Sequence, residues 1–299
     1  MNVKYRKYAI ILLPPPNDEL YMVDFYGVGF ALVAAVVWGT YFVPVRKTGL
    51  NGIFQLQGGM GIGAMIFALA MLPFYGSPTI DIYGISAGII WVIASIFMMF
   101  GVRYIGLARA APIDGSVVIV SSFLWGLLFF KEQIGSLFFA LIGLALLVIG
   151  MPLIAIGEKK NGNGKGYILV MAAGLLWGAI FVPLKLAETL ESTFFSMAFT
   201  IFVSSVILMV TTRQFGKKDL VVGTVAGVGW NAANLASFIA IASLGLAIGY
   251  PLTQLAILIA VLWGLLYFKE ATHRKSSLAI YAGAAVVLIG SAFLAFSSA

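Results

Sequence analysis

The chain contains ten consecutive runs of roughly twenty mostly apolar residues, separated by short polar connections. A helix needs about 20 such residues to cross a bilayer, where only helices and closed barrels satisfy their backbone polar groups. The runs therefore predict an all-α protein with ten transmembrane helices, located in the cell membrane. They cover residues 25–45, 53–73, 80–102, 105–130, 134–156, 166–187, 193–212, 220–243, 244–268 and 276–297.

The composition agrees with a membrane protein. The 299 residues are 62% hydrophobic and only 10% charged, whereas soluble chains carry about 25% charged residues. The net charge of +7 comes from basic residues in the short connections, where such residues set the orientation of membrane spans. A basic stripe with interleaved aromatic residues is absent, so nucleic acid is not an expected partner.

Four motifs in the first half of the chain return in the second half in the same order, at an offset of 138 or 139 residues. Fixed-period self-similarity of this kind indicates an internal duplication. The matched pairs are WGTYFVPVR (38–46) with WGAIFVPLK (177–185), GISAGIIW (84–91) with GTVAGVGW (223–230), GLARAAPI (106–113) with GLAIGYPL (245–252), and LWGLLFFKE (124–132) with LWGLLYFKE (262–270).

The duplication predicts two five-helix repeats, residues 25–156 and 166–299, joined by a polar linker at 157–165. Because five is odd, the second repeat must be inverted relative to the first. Inverted repeats are typical of secondary transporters, which hold their substrate between the halves and work by alternating access. Residues 1–24 are expected to form an N-terminal tail, because their apolar run is too short to span and lacks the features of a signal peptide.

Polar side chains inside membrane spans are costly and are therefore candidates for function. Amides both donate and accept hydrogen bonds, and an indole ring offers a flat apolar face, so together they suit a neutral polyhydroxylated ligand such as a sugar. The alternative is that these side chains join packed helices to one another. The candidate substrate-binding residues are Gln55, Trp91, Ser95, Trp230, Asn231, Asn234, Tyr250, Thr253 and Gln254.

One acidic residue, Asp114, lies well inside a predicted span, about one and a half helical turns after Arg109. A carboxylate at that depth is a candidate for coupling or gating through proton uptake. The alternative is a static Arg109–Asp114 pair that braces the helix. Prolines remove backbone hydrogen bonds, so those within or at the ends of spans are the expected hinges. They are Pro44, Pro112, Pro183 and Pro251.

The region from 25 to 297 resembles the drug/metabolite transporter superfamily, and within it the glucose/ribose porter branch. The segments that carry this resemblance are AGIIW (87–91), IGLARAAPI (105–113), AGVGWNAAN (226–234), GLAIGYPLTQ (245–254) and LWGLLYFKE (262–270). The resemblance implies ten helices in two inverted repeats and uptake of monosaccharides together with protons. Arg109, Pro112, Trp230, Asn234 and Gln254 match the pattern of the branch. Asp114 departs from it, because a small hydroxyl residue is expected there.

The predicted function is proton-coupled transport of a monosaccharide such as glucose. An exporter of amino acids or other small metabolites is the alternative, and it would need sites for both an anion and a cation. A membrane-embedded enzyme would need paired carboxylates, a metal cluster or an activated nucleophile. The chain has no cysteine and no metal-type spacing of ligands, so no enzyme activity, cofactor or metal is expected. A passive channel would show a repeated filter motif, which is also absent from the sequence.

Overall fold

The computed structural model describes residues 25–49, 52–75, 78–131, 136–156, 163–187, 189–212, 216–244, 252–269 and 274–296. Within these ranges the chain is helical and contains no β-strand. The remaining described residues lie in short connections between helices. This is the outcome expected of long apolar runs, because a helix satisfies its backbone hydrogen bonds within the segment.

The described residues of the first half form five longer helices. A 3₁₀ turn at Val43–Arg46 follows the first of them, a short helix at Leu72–Tyr75 follows the second, and a π-helical turn at Trp125–Phe129 extends the fourth. The five are α1 (Phe25–Thr40), α2 (Ile53–Ala70), α3 (Ile82–Ile105), α4 (Leu107–Leu124) and α5 (Leu137–Ile156).

The second half follows the same order. A short helix at Phe181–Leu186 follows its first long helix, and a π-helical turn at Trp263–Tyr267 extends its fourth helix. The helices are α6 (Gly164–Ala179), α7 (Leu190–Thr211), α8 (Lys217–Leu244), α9 (Ala256–Leu262) and α10 (Arg274–Phe296). Each apolar run predicted from the sequence thus contains a helix, and the beginning of the ninth run lies outside the described residues.

Among the described residues, seven helical segments are long and apolar enough to cross a membrane. Two further apolar helices, Leu137–Gly150 and Ala256–Tyr267, are shorter. The seven segments are Tyr26–Arg46, Ile53–Phe74, Ile82–Ile105, Leu107–Phe129, Gly164–Leu184, Glu191–Thr211 and Lys217–Ile241. The chain is therefore a multi-pass membrane protein.

The two halves share unusual backbone conformations at matching positions. π-Helical turns are rare, yet one begins at Trp125 and another at Trp263, at the matched LWGLL motifs. Lys131 and Lys269, which follow these turns, both have a φ of 51°, a conformation uncommon outside glycine. The duplication seen in the sequence therefore extends to local backbone geometry.

Helix packing brings the two halves together. α2 and α3 of the first half pack against α8 and α7 of the second, while α1 packs against α8 and α3 against α6. Glycines form the closest of these contacts. A Cβ atom on Gly63 would collide with backbone atoms of α8, and one on Gly84 would collide with α7. Small residues of this kind let helix backbones approach closely in lipid.

A single residue, Gly106, joins α3 to α4. Its φ of 86° and ψ of 160° are readily adopted only by glycine. The chain therefore leaves α3 and enters α4 within one residue, which carries the first turns of α4 back into the centre of the bundle. Leu107, Ala111 and Asp114 consequently face the cavity described below.

Candidate functional site

A cavity of about 170 Å³ lies between the two halves of the chain. Its walls come from α1, α3 and α4 of the first half and from the α6 region, α7, α8 and α9 of the second. None of the described lining residues comes from α2, α5 or α10. A dry cavity of about 150 Å³ is known to hold benzene, so a ligand built on one six-membered ring matches this size.

Four tryptophans line the cavity: Trp38, Trp91, Trp177 and Trp230. They form two pairs at the repeat offset of 139 residues. The rings of Trp91 and Trp230 contact each other, with centroids 4.2 Å apart and an interplanar angle of 44°. Trp177 lies 5.8 Å from Phe42, measured between ring centroids. The cavity therefore offers flat aromatic surfaces from both halves.

Besides the tryptophans, the described lining includes five residues with polar side chains: Tyr41, Asp114, Asn234, Ser237 and Gln254. They supply hydroxyl, carboxylate and amide groups, which together can donate and accept hydrogen bonds. No lysine, arginine or histidine occurs among the described lining residues. The site thus combines aromatic surfaces, neutral hydrogen-bonding groups and one carboxylate.

Three polar atoms on the cavity residues are buried and have no hydrogen-bond partner within the described part of the chain. They are the indole nitrogens of Trp38 and Trp177 and Oδ1 of Asp114. Buried polar groups are nearly always hydrogen-bonded, and leaving one unpaired costs about 1–3 kcal/mol. Two donors and one acceptor on residues that line the cavity thus lack a protein partner among the described residues.

Some of the predicted polar residues join helices instead of lining the cavity. Ser95 on α3 donates to Gln57 Oε1 at 2.7 Å, and Gln57 Nε2 donates to Ser205 on α7 at 2.9 Å. Asn231 Nδ2 donates to the backbone oxygen of Ala64 on α2 at 2.8 Å. These contacts match the alternative reading, in which polar groups hold packed helices together.

The remaining predicted residues lie at several places. Gln55 is 2% exposed and sits near the start of α2, away from the cavity. Arg109 and Thr253 are buried but do not line the cavity. Tyr250 falls outside the described residues.

The predicted hinge prolines occupy distinct local structures. Pro44 is the second residue of the 3₁₀ turn after α1, and Pro183 lies in the short helix after α6. Pro112 lies inside α4, where its carbonyl oxygen accepts a hydrogen bond from Ser116 Oγ at 2.8 Å. Pro251 falls outside the described residues. Pro44 and Pro183 thus occupy matched positions of the repeat.

Four residues of the cavity are absent from the set predicted from the sequence: Trp38, Trp177, Tyr41 and Ser237. A signal for the two tryptophans was present, because they share the 139-residue offset of Trp91 and Trp230. A signal for Ser237 was also present, since it lies three residues after Asn234 and extends the same helical face. Tyr41 had no comparable signal, because its counterpart in the repeat is Ile180.

At one end of the bundle, the chain after α1 contacts the chain after α9. The Lys47 ammonium contacts the Tyr267 hydroxyl and lies 4.5 Å from the centroid of its ring. Trp263 Nε1 also donates to Thr40 Oγ1 at 3.1 Å. The matched positions in the other pair of helices hold Leu186, Phe129, Trp125 and Ala179, which cannot reproduce these polar contacts. We call the Lys47–Tyr267 and Thr40–Trp263 contacts the α1–α9 latch.

Among the described residues, no group of three or more histidine, aspartate or glutamate side chains could hold a metal ion. The chemistry available to the cavity is therefore binding through aromatic faces, hydrogen bonds and one carboxylate. Nothing in that set of groups resembles a nucleophile paired with a base.

Comparisons with known proteins agree on one family. The family model described as "Sugar transport protein" matches residues 30–297. A Listeria monocytogenes protein named "Putative sugar uptake protein" is 30% identical over 276 residues, which cover 87% of this chain and 95% of that protein. A Priestia megaterium protein named "Probable glucose uptake protein GlcU" is 23% identical over 278 residues, with 88% and 96% covered.

A solved structure titled "Crystal structure of protein" has a TM-score of 0.59 to this chain. The match covers 91% of this chain and 97% of the other, at 14% sequence identity. At that identity the likeness is one of fold alone.

Proposed function

Because this chain belongs to the sugar transport protein family, we propose that its cavity binds a neutral monosaccharide such as glucose and that the protein carries it by alternating access. The family consists of transporters and not enzymes. The apolar helices place the chain in the cell membrane as a multi-pass protein. The substrate class follows from the family, and the choice of glucose and the mechanism are the proposal.

The composition of the cavity is the observation that carries the choice of a neutral sugar. A pyranose has one ring of six atoms, apolar C–H groups on its faces and hydroxyl groups around its rim. The tryptophans supply surfaces for the faces, and Asn234 and Gln254 supply donors and acceptors for the hydroxyls. The unpartnered indole nitrogens of Trp38 and Trp177 add two further donors.

Many alternating-access transporters have two halves of opposite orientation, and hydrogen bonds at the helix ends support such an arrangement in this chain. Arg103, near the end of α3, donates to the backbone oxygen of Arg46 at 2.9 Å. Thr48, two residues after Arg46, donates to Asp219 in the first turn of α8 at 3.2 Å. The end of α3 and the beginning of α8 are therefore neighbours. Since α3 and α8 are matched by the repeat, this neighbourhood of unlike ends supports opposite directions for the two matched helices.

We further propose that Asp114 couples transport to protons. Its side chain is 8% exposed, lines the cavity and lies within electrostatic reach of Tyr41. A carboxylate inside a membrane bundle is costly when ionised, so its protonation and the binding of a neutral sugar favour each other. The hinges would be Pro44, Pro112, Pro183 and Pro251, as the sequence predicts.

Export of amino acids is less well supported. A zwitterion needs a cationic partner for its carboxylate as well as an anionic partner for its amine. Asp114 could serve the amine, but the described lining contains no lysine or arginine for the carboxylate. The cavity therefore favours a ligand without a negative charge.

The test is uptake of labelled glucose into proteoliposomes with and without an inward proton gradient, in wild type and Gln254→Ala. Ser86→Ala is a control, because Ser86 is half-buried, does not line the cavity and donates to the Ile82 backbone oxygen of its own helix. We expect saturable uptake that the gradient increases, that Gln254→Ala weakens and that Ser86→Ala retains. Uptake of amino acids without uptake of glucose or another sugar would refute the proposed substrate.

A further inference from the structure

We propose that the same cavity also binds and transports amino sugars, with the ligand's ammonium group on Asp114 in place of a proton. This inference rests on the proposed function and adds a second class of substrate to it. The probe is glucosamine, which differs from glucose by an ammonium group in place of one hydroxyl group.

The carboxylate of Asp114 is placed for a cationic ligand. Asp114 has an exposed fraction of only 8%, and it lines the cavity. Oδ1 has no hydrogen-bond partner among the described residues. Arg109 lies on the same helix but does not line the cavity. An ammonium group on the ligand would supply the charge-assisted hydrogen bond that this oxygen lacks.

The aromatic walls favour a positive charge as well. Trp38, Trp91, Trp177 and Trp230 face the cavity together with Tyr41. Aromatic faces attract cations, tryptophan most strongly, and the effect grows when the cation is desolvated. Since the described lining contains no lysine, arginine or histidine, no fixed positive charge opposes an ammonium group there.

The charge balance of the loaded site explains how one cavity can serve both ligands. A neutral sugar with a protonated Asp114 leaves the site without net charge. An ammonium sugar with an ionised Asp114 gives the same result. Each loaded form carries one positive charge inward from solution, as a proton in the first case and as part of the ligand in the second. Uptake of the amino sugar should therefore need no proton gradient.

The size of the cavity allows the exchange. An ammonium group and a hydroxyl group each have one heavy atom, so glucose and glucosamine place the same number of atoms in a cavity of about 170 Å³. N-Acetylglucosamine provides a neutral comparison, because acetylation removes the charge while the sugar ring is retained.

The experiment uses the full chain in proteoliposomes at about pH 6.5, where a primary amine is protonated, with an inside-negative potential and no pH gradient. We expect saturable uptake of labelled glucosamine under these conditions. We also expect glucosamine to compete at least about tenfold better than N-acetylglucosamine, since a desolvated cation on aromatic faces gains about one order of magnitude or more in affinity.

Two variants separate the carboxylate from the rest of α4. Asp114→Asn should reduce the preference for glucosamine over glucose about tenfold, measured as the ratio of their dissociation constants. Ser116→Ala is the matched control, because Ser116 is buried on the same helix, bonds to the Pro112 oxygen and does not line the cavity. It should keep the ratio of wild type.

The outcomes distinguish the two proposals. Glucose uptake without any transport or competition by glucosamine would overturn this inference and leave the proposed function intact. An equal loss of preference in Asp114→Asn and Ser116→Ala would also overturn it. Failure of every sugar would overturn the proposed function and this inference together. If Asp114→Asn cannot be purified, competition by glucose, glucosamine and N-acetylglucosamine on the wild-type protein decides whether the ammonium group is preferred.

Discussion

The indole nitrogens of Trp38 and Trp177 are single atoms whose removal tests the proposed binding site. Trp177→Phe removes a buried donor without a partner among the described residues and retains an aromatic ring. A neutral hydrogen bond is worth about 0.5–1.5 kcal/mol. We expect the dissociation constant for glucose to rise about two- to tenfold, as measured by calorimetry on the purified protein.

Trp125→Phe is the control for this prediction. Trp125 is 37% exposed on the π-helical turn after α4, where its ring packs against Phe129 with centroids 5.9 Å apart. It does not line the cavity, so its replacement should leave the affinity for glucose unchanged. The same loss of affinity in both variants would show that the Trp177 indole makes no specific contact.

Asp114 carries a separate prediction about energy coupling. Asp114→Asn removes the group that takes up a proton but keeps a polar side chain of similar size. We expect the variant to exchange labelled for unlabelled glucose while losing the stimulation of net uptake by an inward proton gradient. Glu191→Gln is the control, because Glu191 lies in the first turn of α7 and outside the cavity. Retained stimulation in Asp114→Asn would place the coupling group elsewhere.

The sequence identifies polar residues in the spans but does not show which of them line the cavity and which join neighbouring helices. Asn231 and Asn234 lie three residues apart on α8, yet Asn231 donates to Ala64 while Asn234 faces the cavity. A rotation of about 60° along the helix separates these two positions, and only the packing of neighbouring helices decides which one faces a ligand. Trp38 was not predicted as a site residue for the same reason, because its motif does not show which way the side chain points.

At the scale of helices, the contact between α2 and α8 depends on the absence of side chains. A Cβ atom on Gly63 would meet the backbone nitrogen of Val228 at 2.6 Å and the backbone oxygen of Thr224 closer still. Backbone atoms within a packed helix cannot move aside cheaply, and overpacking typically costs about 1–3 kcal/mol. Gly63→Ala should therefore lower the free energy of unfolding by at least about 1 kcal/mol, as measured by denaturant titration in mixed micelles.

Gly29→Ala on α1 is the matched control. A Cβ atom at Gly29 has no other atom within 4 Å, and alanine is favoured over glycine in a helix by roughly 1 kcal/mol. The free energy of unfolding should therefore stay constant or rise. Equal destabilisation of the two variants would mean that the α2–α8 contact contributes no specific steric constraint.

The α1–α9 latch makes a prediction about movement between helices. Tyr267→Phe removes the hydroxyl that Lys47 contacts and keeps the ring. Because the contact exists only when these helix ends are together, its loss should favour their separation, by about two- to fivefold for an exposed polar contact. The natural chain has no cysteine, so a cysteine at Ser237 can report access to the cavity through its rate of thiol labelling.

Tyr104→Phe is the control for the latch. The Tyr104 ring stacks on Phe100 with centroids 6.4 Å apart, and it is 37% exposed at the end of α3. Thiol labelling at Ser237→Cys should proceed at the same rate in the presence and absence of Tyr104→Phe. An unchanged rate in Tyr267→Phe as well would show that the latch does not hold the helix ends closed.

The elements themselves were largely predictable, and their irregular parts were not. Runs of about twenty apolar residues predict helices because few other structures are stable in lipid. The π-helical turns at Trp125 and Trp263 gave no such signal, since a π turn depends on one extra residue accommodated by packing. Their recurrence at matching positions is visible in the sequence only as the repeated LWGLL motif.

In the molecule as a whole, the duplication predicts that helix contacts and cavity residues of one half have counterparts in the other half. The matched helices α3 and α8 pack on α7 and α2 through glycines at corresponding positions, Gly84 and Gly223. The four cavity tryptophans also form two matched pairs. A cavity between two similar halves can open to either side by exchanging the conformations of the halves. Under the proposed mechanism, the latch would make the two openings unequal, because the matched positions hold no polar counterpart.

The orientation of the halves leads to a test by thiol labelling in intact cells. Ile80 precedes α3 and is 58% exposed, and Lys218 lies at the matched beginning of α8. If the repeats are inverted, cysteines at Ile80 and Lys218 lie on opposite sides of the membrane. A membrane-impermeant reagent should then label one of them in intact cells and the other only after permeabilisation.

Thr189 supplies the internal control for this labelling. It precedes α7, whose first turn lies beside the start of α3, because the Thr79 backbone nitrogen donates to Ser192 Oγ at 3.1 Å and Thr193 donates to Asp81 at 2.6 Å. A cysteine at Thr189 should therefore label from the same side as one at Ile80.

Labelling of Ile80 and Lys218 from the same side would contradict the inverted repeat, because matched helices would then run in parallel. Labelling of Ile80 and Thr189 from opposite sides would contradict the contact between α3 and α7 on which the cavity depends.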